Sequence, residues 1–340
     1  LGLLPGAGGT QRMPRLAGAE LALQMITSGA PISAQKALEN GILDHIAEDD
    51  GDFLSAAINY ASNLVNSGAP VRNCADMSVD TSKLPENFFD EFRKGIARKT
   101  RGFYAPERCI QCVEAACELP LNEGLALETK LFRECMDTPQ ARAQQHLFFA
   151  QRAATKIPGV DPRTATRVIN KVAIIGSGTM GGGIAMNFAN AGIETTILDL
   201  NAEALERGMG VIRNNYEISA KKGRMSDAQV EQRMALLNST TEYADIAGVD
   251  LVIEAVFENM DIKKTVFKTL DEVCKPGAIL ATNTSTLDVD EIAKATQRPE
   301  DVIGLHFFSP ANVMKLLEIV RGAQTADDVL MTTIKMAQTI

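Results

Sequence analysis

Two side chains near the end of the chain have the types needed to move a proton. His306 stands in His306-Phe307-Phe308-Ser309-Pro310, at the end of the apolar run Val302 to Leu305, and Glu318 stands in Met314-Lys315-Leu316-Leu317-Glu318-Ile319-Val320. An imidazole titrating near neutrality can take the proton of an alcohol while the hydride leaves for a nicotinamide, and a carboxylate can orient and stabilise the imidazolium. Spacing alone leaves a structural role for both residues open. A second constellation is Gly176-Ser177-Gly178-Thr179-Met180-Gly181, which follows the apolar run Lys171 to Ile175 and opens a helical pattern through Ile184, Ala185, Phe188 and Ala189. This is the context a dinucleotide turn requires: Gly176 for the tight turn, Gly178 for close approach of backbone to pyrophosphate, Gly181 for helix packing on the strand. The N–H groups of Thr179 and Met180 belong to the helix start, where free donors meet phosphate. Asp199 ends the next apolar run, where a carboxylate accepts from ribose hydroxyls and repels a 2'-phosphate, so NAD is expected rather than NADP.

These residues need a scaffold, and the pattern after residue 170 supplies one. Short apolar runs at Val172 to Ile175, Thr195 to Leu198, Leu251 to Ile253, Ala278 to Ala281 and Val302 to His306 alternate with helical segments. That alternation predicts a Rossmann-type α/β domain with a mostly parallel sheet covered on both faces. Ile157-Pro158-Gly159-Val160-Asp161-Pro162 breaks the preceding helix, placing a boundary between 158 and 170. Upstream, helices are expected from Asp52 to about Asn66, Glu107 to Leu119 and Asn122 to Thr155, the last bent at Pro139. The basic run Arg93, Lys94, Arg98, Lys99, Arg101 is read as a solvated face, with a CoA phosphate contact as the alternative.

Composition narrows the function classes. The 340 residues are 45% hydrophobic, enough for two or three cores, and the net charge of −9 lacks the clustered Lys and Arg of a nucleic-acid binder. No apolar stretch is long enough to span a bilayer. Six unevenly spaced cysteines fit a reducing compartment, and Cys109-Ile110-Gln111-Cys112 has no second cluster to complete a metal site, so no metal is expected.

Three segments in order, Asn283-Thr284-Ser285-Thr286-Leu287, His306-Phe307-Phe308-Ser309-Pro310 and Met314-Lys315-Leu316-Leu317-Glu318, closely resemble motifs of the 3-hydroxyacyl-CoA dehydrogenase family. The resemblance implies that His306 is the general acid/base, Glu318 its partner, and Ser285 a hydroxyl touching substrate and cofactor beside Asn283. Glu254-Ala255-Val256-Phe257-Glu258-Asn259 matches a further motif, which puts Glu258 and Lys263 by the nicotinamide. Ser309 stands where many single-function members carry Asn, and is carried over as a substrate contact. The family's catalytic set also includes an Asn from a following helical domain, which is not in these residues.

Leu1-Gly2-Leu3-Leu4-Pro5-Gly6-Ala7-Gly8-Gly9-Thr10-Gln11-Arg12, continued by Ile26-Thr27-Ser28-Gly29 and Ala37 to Asp44, is similar to the enoyl-CoA hydratase (crotonase) signature. By that resemblance the Gly6 amide helps hold the attacking water, though a plain turn glycine is an equal reading. The family's two catalytic glutamates fall upstream of Leu1. The expected layout is the C-terminal part of a crotonase-like domain over 1–104, a helical linker over 105–168, and an NAD-binding dehydrogenase domain over 169–340. Such a fusion, with the linker run Ala141 to Ala150, resembles the peroxisomal-type bifunctional family of fatty-acid β-oxidation more than the mitochondrial trifunctional one. It implies acyl-CoA substrates, NAD-dependent oxidation coupled to 2-enoyl-CoA hydration, with isomerisation left open, and a cytoplasmic location if bacterial or a peroxisomal one if eukaryotic. The competing readings are another NAD-dependent hydroxyacid dehydrogenase and a noncatalytic NAD-binding module.

Overall fold

The computed structural model describes residues 1–47 and 51–340 and divides into two units, Leu1–Ala154 and Thr155–Ile340. The first holds eight α-helices among the described residues: α1 Gly9–Ala17, α2 Ala19–Ser28, α3 Ala34–Glu39, α4 Phe53–Asn66, α5 Phe88–Ile96, α6 Ala105–Glu118, α7 Leu121–Met136 and α8 Pro139–Ala153. Helices α6 and α7, expected in a connector, instead share the core of this unit. Cys109, Cys112, Leu131 and Cys135 pack with Leu4, while Ile110, Val113 and Ala116 pack with Leu23 and Val79. The apolar stripe of α6 meets Ala19 and Leu23 of α2, while α1 meets α6 through Gln11, whose side-chain NH2 donates to the Cys112 carbonyl at 2.7 Å. Pro139 does not bend a helix but starts α8 at its first turn, after Thr138 caps the amide of Ala141 at 3.1 Å.

One buried contact ties α7 to the glycine-rich turn before α1. Glu128, 1% exposed, accepts from the N–H of Gly8 at 2.6 Å and from the N–H and hydroxyl of Thr10 at 3.1 and 2.5 Å. It supplies a negative charge to a helix end whose first amides have no partner within the helix. Arg93 on α5 binds Glu107 and Glu114, each through paired N–H···O contacts of 2.8 to 3.2 Å, so its guanidinium is committed within the unit.

The second unit is the expected α/β sandwich. Its strands are β1 Lys171–Ile175, β2 Glu194–Leu198, β3 Leu237–Thr240, β4 Leu251–Glu254, β5 Ile279–Thr282, β6 Val302–Phe307 and β7 Leu317–Val320. Its helices are α9 Thr179–Asn190, α10 Ala202–Lys221, α11 Asp227–Met234, α12 Met260–Val273, α13 Val289–Ala293 and α14 Asp327–Thr339. The sheet order is β3-β2-β1-β4-β5-β6-β7, parallel throughout except for β7. Alternate residues serve opposite faces. Val172 and Ile174 join Ile184, Phe188 and Ile212 from α9 and α10, whereas Ala173 and Ile175 join Phe267 and Leu270 from α12. Strand order reverses between β1 and β4, and the C-terminal ends of those two strands open the crevice where ligands of such sheets bind.

Candidate active site

The glycine turn leaves β1 at that crevice. Gly176 has φ 107°, and a Cβ there would meet the Ala255 carbonyl oxygen at 2.8 Å, so glycine is demanded by conformation and by space. A Cβ on Gly181 would collide with the Gly176 carbonyl oxygen, so its absence lets α9 sit down on the turn. Gly178 differs: its φ of −70° suits any residue, and a Cβ would meet nothing within 4 Å. The space it leaves open lies beside the first turn of α9, where the amides of Thr179 and Met180 have no acceptor within the helix. Folding therefore does not require glycine at 178, and a phosphate group that must approach the backbone does. Met180 packs partly against the core beneath.

At the end of β2, Asp199 accepts from the Ser177 amide and hydroxyl at 2.9 and 2.6 Å and from the Asn201 amide at 3.0 Å. Burial disfavours its charge, but the Ser177 hydroxyl, these amides and Arg207 outweigh it and hold the carboxyl below its ordinary value. An ionised carboxylate fixed beside the turn fits the ribose of a dinucleotide.

The proton-transfer pair is assembled by strand register. His306 and Glu318 are direct partners across the antiparallel β6 and β7, and His306 Nδ1 lies 2.8 Å from Glu318 Oε2. The His306 side chain is 18% exposed and that of Glu318 is 54% exposed, so the imidazole is largely walled in while its partner faces solvent. Phe308 lies against the ring at 4.6 Å between centroids.

Between the glycine turn and this pair runs a charged network. Glu258 Oε1 accepts from the Thr284 hydroxyl at 2.5 Å and the Ser285 amide at 2.9 Å, with the Ser285 hydroxyl at 3.3 Å. Burial again opposes its charge, and the Thr284 hydroxyl, the Ser285 and Thr286 amides and Lys263 together keep its carboxyl low. Lys263, expected at the cofactor, is only 1% exposed, and its ammonium binds Glu254 at 2.7 Å and Glu258 at 3.4 Å. It reaches the cleft only through Glu258, because a buried cation must be paired. Glu254 itself was not singled out from the sequence, although an acid closing an otherwise apolar strand was its signal. The side-chain oxygen of Asn283 accepts from the Phe307 amide at 2.8 Å, joining the end of β5 to β6.

Not every expected residue joins this constellation. Ser309 is exposed beyond β6, with no side-chain hydrogen bond among the described residues. Gly6 lies in the other unit, where a Cβ would run into the Phe132 ring, a packing reason for glycine independent of any water. The thiols of Cys109 and Cys112 are buried in α6 and pushed up to about 12 by that burial, unsuited to thiolate chemistry.

A parallel sheet with a glycine turn, an acid after β2 and a His–Glu pair across β6 and β7 defines a nicotinamide-dinucleotide-binding Rossmann domain. The chain belongs to the 3-hydroxyacyl-CoA dehydrogenase family, whose NAD binding domain matches residues 171–340, and the enoyl-CoA hydratase/isomerase family matches residues 1–88. It is 40% identical over 344 residues to the peroxisomal bifunctional enzymes of Cavia porcellus and Homo sapiens, covering 100% of this chain and 47% of each relative. The chain thus spans about half the length of the curated relatives it matches. Related sequences include a glyoxysomal multifunctional protein and a bacterial fatty acid oxidation complex subunit. Among solved structures, the dehydrogenase part of multifunctional enzyme 1 from C. elegans is similar, with 34% identity and TM-score 0.50 over 54% of this chain and 43% of that one.

Proposed function

We propose that this chain carries the cofactor half of an enzyme that oxidises (3S)-3-hydroxyacyl-CoA to 3-oxoacyl-CoA, within a β-oxidation protein that also hydrates 2-enoyl-CoA. The observation that carries this reading is the 2.8 Å contact between His306 Nδ1 and Glu318 Oε2. With Nδ1 donating to the carboxylate, Nε2 keeps its lone pair for the substrate hydroxyl, and Glu318 stabilises the imidazolium once the proton has moved. NAD, when bound, supplies the hydride acceptor. Gly178 and the α9 amides would hold its pyrophosphate and Asp199 its ribose, and Glu258, steadied by Lys263, would face the nicotinamide. Ser285, fixed through Glu258, would present its hydroxyl to the substrate beside Asn283, and Ser309, exposed beyond β6, would reach the substrate from outside that constellation.

An NAD-binding domain over 169–340 goes with this reading, whereas α6 and α7, within the 105–168 segment expected as a linker, belong to the core of the first unit; a cytoplasmic place in a bacterium or a peroxisomal one in a eukaryote goes with it too. No helix among the described residues is long and apolar enough to cross a membrane. The test is His306→Ala in the intact protein. NADH formation from 3-hydroxyacyl-CoA should fall by about 10³-fold or more while 2-enoyl-CoA hydration is retained; unchanged NADH formation would sink the assignment.

A further inference from the structure

Glu254 closes β4 as a fully buried carboxylate in an otherwise apolar strand. Burial of that charge is costly unless every oxygen is engaged, and here three elements engage it. Oε1 accepts from the Val256 amide at 2.8 Å and from Lys263 at 2.7 Å, and Oε2 accepts from the Thr282 hydroxyl at 2.8 Å. Lys263 in turn lies 3.4 Å from Glu258, whose other oxygen holds Thr284 and Ser285. Contacts therefore run unbroken from the floor of the sheet at Thr282, through Glu254, Lys263 and Glu258, to the loop at the rim of the cleft. Two carboxylates and one ammonium sum to a single negative charge.

We propose that Glu254 is a positioning residue of the cofactor site: it anchors Lys263, through Lys263 it sets Glu258 and the Ser285 loop, and it leaves the cluster with one net negative charge beside the nicotinamide. This rests on the placement of Glu258 in the function proposed above. The nicotinamide ring is cationic in NAD+ and neutral in NADH, so the cluster favours the oxidised form, and neutralising Glu254 erases that preference without touching the ligand.

The experiment is titration of this 340-residue chain with NAD+ and with NADH, for the parent, Glu254→Gln, Glu258→Gln and the double variant. Glu254→Gln should raise the ratio of the NAD+ to the NADH dissociation constant by about three- to tenfold, as for the loss of one partly shielded charge. The double variant leaves Lys263 without a counter-charge, so its ratio should rise beyond that of either single variant. A lowered melting temperature with the parental ratio in Glu254→Gln, or a double variant whose ratio does not exceed that of Glu258→Gln, would make Glu254 merely structural and overturn the proposal. Unchanged binding by Glu258→Gln would instead remove the underlying placement, and the proposal with it. If Glu254→Gln does not fold, Glu254→Gln with Lys263→Met removes the buried charges together and leaves Glu258 as the single negative charge, so both forms should bind more weakly by a similar factor, with the ratio at its parental value; a raised ratio refutes the charge argument.

Discussion

Replacing Glu318 by Gln keeps the size of the side chain and a hydrogen-bonding oxygen for His306 Nδ1, but removes the negative charge that faces it at 2.8 Å. In the resting enzyme little is lost. In the transition state the imidazole acquires a positive charge, and a hydrogen bond between two charged groups is worth about 1.5–3 kcal/mol. Glu318 is 54% exposed, so water screens part of the attraction and the lower end applies, about 1.5–2 kcal/mol. That corresponds to a fall of about 10- to 30-fold in kcat for NADH formation, with KM for NAD nearly unchanged because the lost interaction develops only as the proton moves. Glu318→Ala should fall further, since the ring then also loses its orienting acceptor. The assay is initial-rate NADH absorbance with saturating 3-hydroxyacyl-CoA in the intact protein. A kcat for Glu318→Gln within twofold of the parent would refute the reasoning that a charge, and not only a hydrogen bond, is used at this position.

Two of the turn's three glycines separate folding from binding. Gly178→Ala should leave stability within about 0.5 kcal/mol, its Cβ pointing into open space, yet weaken NAD binding at least tenfold by calorimetry. Gly181→Ala, colliding with the Gly176 carbonyl, should cost about 1–3 kcal/mol in urea unfolding. Asp199→Asn should weaken NAD by about 10- to 50-fold while improving NADP relative to NAD, read from the ratio of their dissociation constants. Ser177→Ala should flatten the acid limb of the stability curve. The Asp199 carboxyl is held below its ordinary 3.8, so its contribution is present above that pH and disappears as the pH falls below it. Urea midpoints at about pH 5 and pH 3 should therefore converge in the variant relative to the parent.

Residues with a burial reason were legible from sequence, and residues with a pairing reason were less so. Buried parallel strands such as Val172 to Ile175 and Leu251 to Ile253 read as apolar runs because both faces are covered. The edge strand β3, Leu237-Asn238-Ser239-Thr240, buries only Leu237 and carries no such signal. The His306–Glu318 register depends on β7 turning antiparallel, which no local pattern encodes. The glycine turn was legible because backbone geometry demands particular residues. Glu254 was hidden, since its value lies in a lysine nine positions later that only the turn between β4 and α12 brings back. Likewise α5 escaped notice within a polar stretch, its phenylalanines acquiring meaning only against α6.

Sequence similarity to the hydratase family stops at residue 88, yet the anion that closes the amide end of α1 is Glu128, on α7. The edge of the inherited module and the edge of the folded one are thus different places. A chimera joined at residue 88 would carry the recognisable signature while stranding the Gly8 and Thr10 amides without their counter-charge. A junction after residue 154 would carry both. The seam along which this half can be exchanged between proteins lies well past the point where its family resemblance fades.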